Sequence, residues 1–124
     1  MSRWNPDKAL VLQLPFEVNR GRIADLLCCA LEGGSTYWCQ RVEITDFPEG
    51  AEWAHEAIAS GLTEYTVTTW EDGEFTVGGT VPEALRKLAR EYPHQWDLFM
   101  CEQEDADTGD LFFQLCVFGE VIYG

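Results

Sequence analysis

The chain has 124 residues, of which 22 are Asp or Glu and 8 are Lys or Arg, for a net charge of −14. Hydrophobic residues make up 46% and aromatics 13%, which is enough apolar material for one packed domain over residues 1–124 and too much for a disordered acidic tail. The sign of the charge argues against direct nucleic-acid binding, and no apolar run approaches the roughly 18 residues of a membrane span.

Residues 1–6 are expected to be frayed, with Asn5-Pro6 a turn signal and no signal peptide in Met1-Ser2-Arg3-Trp4. Ala9 to Val18 alternates as a strand, with Leu10, Leu12, Leu14 and Phe16 on one side; Pro15 makes it an edge strand or a strand end. Asn19 caps a helix over Arg20 to Glu32, in which Ile23, Leu26, Leu27, Ala30 and Leu31 recur at the spacing of one apolar face. Gly33-Gly34 is read as its left-handed stop. A strand follows over Thr36 to Thr45, with Trp38, Val42 and Ile44 turned to the core and Tyr37, Cys39, Arg41 and Glu43 turned away.

Asp46 to Gly50 is a loop by its Pro and Gly, and Ala51 to Ser60 a short helix with Trp53, Ala57 and Ile58 inward, ended by Gly61. Thr63 to Trp70 and Phe75 to Val77 are strands joined by the hairpin turn Glu71-Asp72-Gly73-Glu74. Thr80 opens the next helix with Glu83 at capping-box spacing and Pro82 in the first turn; Ala84, Leu85, Leu88 and Ala89 form its inner face. Tyr92-Pro93 breaks it, and His94 to Cys101 resumes with Trp96, Phe99 and Met100 packed. After the acidic loop Glu102 to Asp110, a last helix from about Thr108, capped by Asp107 or Thr108, carries Leu111, Phe112, Leu115 and Phe118 on one stripe up to Gly119. The sum is an α+β domain, a mostly antiparallel sheet of about four strands packed with three or four helices.

Motifs that would carry catalysis are incomplete. His55-Glu56 begins a zinc-peptidase helix, but the second histidine position is Ala59. Counted from Asp105 as a calcium loop, the obligatory glycine and glutamate positions are Asp110 and Cys116. Gly33-Gly34 and Gly78-Gly79 lack the spacing and the Lys of a phosphate loop. The five cysteines are odd in number, include the adjacent pair Cys28-Cys29 and form no Cys-x-x-Cys, so they read as reduced packing residues of a cytosolic protein. No cofactor, metal or catalytic residue is expected from these patterns.

Charge is the strongest functional signal. Through Arg41 the balance is +1, and from Val42 onward it is −15; Val42 to Leu85 holds ten acids and no Lys or Arg. Such one-sided charge favours a basic partner surface. The expected contacts are Glu71, Asp72 and Glu74 in the hairpin, and Glu102, Glu104, Asp105 and Asp107 before the last helix. The alternatives are a small-molecule module or enzyme with a pocket lined by Tyr37, Trp38, Trp53 and Trp70, or a virion accessory protein. A monomer and a homodimer are both compatible with this composition.

Two stretches, Ala30-Leu-Glu-Gly-Gly-Ser-Thr-Tyr-Trp-Cys39 and Asp105-Ala-Asp-Thr-Gly-Asp-Leu-Phe-Phe-Gln-Leu-Cys-Val-Phe-Gly-Glu-Val-Ile-Tyr-Gly124, resemble segments of small uncharacterised proteins of phages and prophages. The resemblance covers about 30 of the 124 residues and brings no catalytic residue with it. It implies a mobile-element setting in the host cytosol, where small acidic proteins often inhibit host defence. The expected function is therefore a non-enzymatic anti-defence inhibitor, of anti-CRISPR or anti-restriction type, whose carboxylates stand in for phosphates. Alternate residues of a strand lie about 6.6 Å apart, within reach of the spacing of successive phosphates.

Overall fold

The Asn19 side chain accepts the Gly21 N–H at 2.7 Å and starts helix α1 (Arg20–Cys29). The fold is that of a computed structural model, which describes residues 17–124. The frayed segment 1–6 and the strand expected from Ala9 lie outside the described residues, except that strand's last two positions, Glu17 and Val18, which are irregular. Ile23, Leu26, Leu27 and Ala30 are buried, as the apolar spacing requires. Beyond Cys29 the helix widens into one π-helical turn, Ala30–Gly34.

The two glycines there do not form the left-handed stop expected of them. Gly33 is extended, at φ 175°. Gly34 is needed for a different reason: a Cβ on it would stand 2.3 Å from the Ala106 carbonyl oxygen. Gly109 is as tightly placed, since its Cβ would meet the Leu26 carbonyl oxygen at 2.7 Å and the Ala30 nitrogen at 2.9 Å. The start of the last helix thus lies backbone to backbone on the end of the first.

Strands β1 (Cys39–Ile44), β2 (Glu64–Thr69) and β3 (Glu74–Gly78) form an antiparallel sheet in the order β1-β2-β3. Helices α2 (Ala54–Ser60), α3 (Val81–Glu91), α4 (Pro93–Met100) and α5 (Ala106–Phe118) complete an α+β fold. Among the described residues there are three strands and five helices, against about four strands and three or four helices expected. Tyr65, Val67 and Thr69 of β2 face the core, and Phe112, Phe113, Leu115 and Cys116 of α5 lie fully inside it.

Several side chains face differently from their sequence pattern. A bulge between Cys39 and Arg41 inserts Gln40 and reverses the alternation, so that Cys39, opposite Thr69, joins Val42 and Ile44 on the core face. Trp53, expected inward, precedes α2 in an extended conformation, is 63% exposed and stacks on His55. Met100, expected to pack, ends α4 half exposed. Thr80 makes no side-chain cap on α3, so the capping box with Glu83 does not form. The start of α5 is capped by Asp105 rather than by Asp107 or Thr108: its carboxylate accepts the Thr108 N–H at 3.0 Å.

Candidate functional site

Asp105 fixes where α5 begins, and so fixes what Asp110 reaches one turn later. The buried Thr108 hydroxyl bridges to Gln95 on α4 at 2.6 Å, holding that first turn in place. Asp110 then points at the turn 35–38, which the Ser35 carbonyl closes by accepting the N–H groups of Trp38 and Cys39. Its Oδ1 accepts the Ser35 hydroxyl at 2.8 Å and the Trp38 indole N–H at 2.7 Å; its Oδ2 accepts the Tyr37 hydroxyl at 2.7 Å and the Gln114 amide at 3.2 Å. A carboxylate that accepts from four donors is an anchor, holding Ser35, Tyr37, Trp38 and Gln114 in one place. Burial, with Asp110 beside it, pushes the Tyr37 phenol up to about 12, so it remains a neutral donor.

Gln114, wholly buried, joins the same network to the last residues. Its Oε1 accepts the N–H groups of Ile122 and Tyr123, each at 2.8 Å, and its amide donates to the Tyr123 carbonyl at 3.2 Å. Residues 120–124 are thereby folded back, and the Tyr123 ring stacks on Trp38 at 5.3 Å and 7°. The Tyr123 hydroxyl donates to Asp72 in the hairpin loop, and this bond raises its pKa.

The hairpin loop is shaped by Thr69, whose hydroxyl donates to the Gly73 carbonyl at 3.0 Å and accepts the Asp72 N–H at 2.8 Å; Gly73 takes φ +87°, where a side chain would be strained. Trp70 is held across the neighbouring turn by its backbone N–H on the Trp38 carbonyl and its indole N–H on the Thr36 carbonyl, at 3.1 and 3.0 Å. Trp70 and Tyr37 are nevertheless 60% and 53% exposed. Between them opens a notch of about 220 Å³ lined by Tyr37, Trp38, Trp70, Glu71 and Tyr123.

Three of the four aromatics expected to line a pocket meet there; Trp53, just before α2, does not. The notch is smaller than the roughly 300–1,000 Å³ of a drug-sized ligand site and fits a single side chain. A larger groove, about 540 Å³, runs between α1 and α3. Its walls are mainly apolar, including Val18, Ile23, Leu85, Ala89 and Trp96; its charged lining residues are Arg20 and Arg86, and it brings no carboxylate together. Among the described residues, no three His, Cys, Asp or Glu side chains are grouped to hold a metal ion, and no helix is long and apolar enough to cross a membrane.

The seven carboxylates singled out from the sequence separate into two kinds. Glu71 and Asp72 in the loop and Glu74 at the start of β3 are exposed, beside the notch or leading away from it; Asp107 is exposed on the first turn of α5. Glu104 is not a free surface charge: its carboxylate, 8% exposed, grips the Arg22 guanidinium with both oxygens. Arg22 also donates to the Phe99 carbonyl and lies over the Phe99 ring at 4.8 Å, with Glu102 at 3.7 Å. Asp105 serves as the helix cap. Asp110, Gln114 and Tyr123 were not singled out, although a polar pair one turn apart on an otherwise apolar helix was a visible sign of a buried network.

The Arg22 pair holds the Glu104 carboxyl below its ordinary value. Its contribution to stability is therefore complete above the unfolded-state pKa, about 4.3, and is lost as pH falls through the lower folded-state value. Glu104→Gln should lower the melting temperature at neutral pH and flatten its decline in acid, as measured by thermal unfolding across that range. Parallel pH profiles for variant and parent would contradict this.

Against protein-family models, curated proteins and solved structures, the chain gives no match.

Proposed function

We propose that the protein acts by binding rather than by catalysis, and that it holds a basic partner protein on the face formed by Tyr37, Trp70, Glu71, Asp72 and Tyr123. The observation that carries this reading is the pair of large exposed aromatics, each tied down by a hydrogen bond, next to carboxylates that form no ion pair with a described Lys or Arg. Rigid Trp and Tyr side chains supply contact area at little entropic cost, the usual character of interface hot spots. The surrounding field draws in a basic surface and raises its rate of encounter. In its narrower form, which rests on the resemblance to phage proteins and on the charge, the partner is a nucleic-acid-binding surface of a host defence complex.

The direct test is association kinetics against salt. Glu71→Gln with Glu74→Gln leaves the Asp72–Tyr123 bond intact and should cost little stability, within about 0.5 kcal/mol. Binding to a partner recovered from infected or uninfected cells should slow by roughly 3- to 10-fold at low salt and converge with the parent at high salt. A rate unchanged by both salt and substitution would remove the proposal. For the narrower form, duplex DNA or RNA should compete with the protein for its partner.

A further inference from the structure

We propose that the notch between Tyr37 and Trp70 is an aromatic cage for the alkylammonium head of a lysine side chain on the partner, and that it binds most tightly when that nitrogen is methylated. This rests on the partner-binding reading above and narrows it to one side chain. The exposed rings of Tyr37 and Trp70, the buried Trp38 with Tyr123 stacked on it, and the Glu71 carboxylate line a space of about 220 Å³. Aromatic faces attract a cation through the ring quadrupole, and most strongly where water is displaced.

The state of the polar atoms around the notch selects the kind of cation. The Tyr37 hydroxyl is committed to Asp110 and the Tyr123 hydroxyl to Asp72. The indole N–H groups of Trp38 and Trp70 are committed to Asp110 and to the Thr36 carbonyl. Among the lining side chains this leaves the Glu71 carboxylate as the charged acceptor, beside tyrosine hydroxyl oxygens whose hydrogens are already donated. A guanidinium brings five N–H donors and would leave most of them unmet on entering such a site. A trimethylated ammonium brings none, keeps its full charge and presents only methyl groups to the rings. Charge complementarity points the same way, because Val42 to Leu85 carries ten acids and no base.

The test follows the indole N–H resonances of Trp38 and Trp70 during titration of the intact protein at constant ionic strength. The probes are short glycine-flanked peptides carrying lysine, trimethyllysine or arginine at the centre, together with choline and an octalysine peptide. Saturable shifts at Trp70 in the order trimethyllysine, lysine, arginine, with several-fold steps, are the expected result. Trp70→Ala should abolish the shifts at the remaining indole of Trp38, and Glu71→Gln should weaken binding 3- to 10-fold. Both positions are exposed, so the variants should fold; a Tyr37→Ala variant, checked by its amide spectrum, gives a second removal of a cage wall. Equal affinity for lysine and trimethyllysine, or a preference for arginine, would overturn the cage. Choline binding more tightly than the trimethyllysine peptide would overturn the assignment to a protein side chain. If octalysine shifts the Glu71–Glu74 amides, and does so less when the titration is repeated at a higher ionic strength, while no probe moves Trp70, the cage falls and the acidic-surface reading stands. If no probe shifts either the Glu71–Glu74 amides or the Trp70 indole, both fall.

Discussion

Gly109→Ala is expected to destabilise the protein by about 3 kcal/mol or more, beyond the usual cost of one methyl forced into a packed interior. The added carbon would lie 2.7 Å from the Leu26 carbonyl oxygen, 2.8 Å from Cys29 Cβ and 2.9 Å from the Ala30 nitrogen. Two of those three atoms are main chain and cannot rotate away, so relief requires α1 and α5 to separate. That separation loosens the burial of Leu26, Leu27 and Phe112, which are wholly inside the core. Thermal unfolding should show a midpoint lower by about 10 °C or more. Gly33→Ala is the matched control, since nothing lies within 4 Å of its added carbon and its φ is extended. A small loss at Gly109 equal to that at Gly33 would mean that the helices do not meet as described.

Asp110→Ala is expected to cost about 3 kcal/mol and to unfasten the aromatic face. The Ser35 hydroxyl and the Trp38 indole N–H, both in buried residues, lose their acceptor, and each orphaned group costs about 1–3 kcal/mol. Tyr37 and Gln114 lose a partner as well. Asp110→Asn keeps the shape but points amide hydrogens at some of those same donors, so it should not restore the parent. Combined with Tyr37→Phe, the alanine variant should lose less than the sum of the two single effects, because both act through one network. Denaturant unfolding of the four proteins measures this coupling. Strict additivity would show that Tyr37 is not held through Asp110.

Much of this architecture was legible along the chain. The apolar spacing from Ile23 to Ala30 gave α1 and its buried face, Asn19 gave its cap, and Asp72-Gly73 gave the hairpin. What could not be read depended on partners distant in sequence. Arg22 meets Glu104 across 82 positions, so a carboxylate that looked unneutralised along the chain is paired in space. The bulge at Gln40 leaves no mark in the alternation of Thr36 to Thr45, yet it reverses which side Cys39 faces. Gly33-Gly34 carried the right residue type for a stop, while the need for Gly34 comes from Ala106, more than seventy residues away. The notch was half visible: Tyr37, Trp38 and Trp70 were grouped by residue type, and Tyr123 joins them only because Gln114 folds the last residues back.

The Gln114 clip also sets a timescale. The amide hydrogens of Ile122 and Tyr123 end on an oxygen that no solvent reaches, so they exchange with deuterium only when the clip lets go. That event releases the backbone that carries Tyr123, the ring stacked on Trp38 and bonded to Asp72 as one wall of the notch. The exchange rate of two amides near the end of the chain is therefore a clock for how long the proposed binding face stays assembled, readable with no partner present.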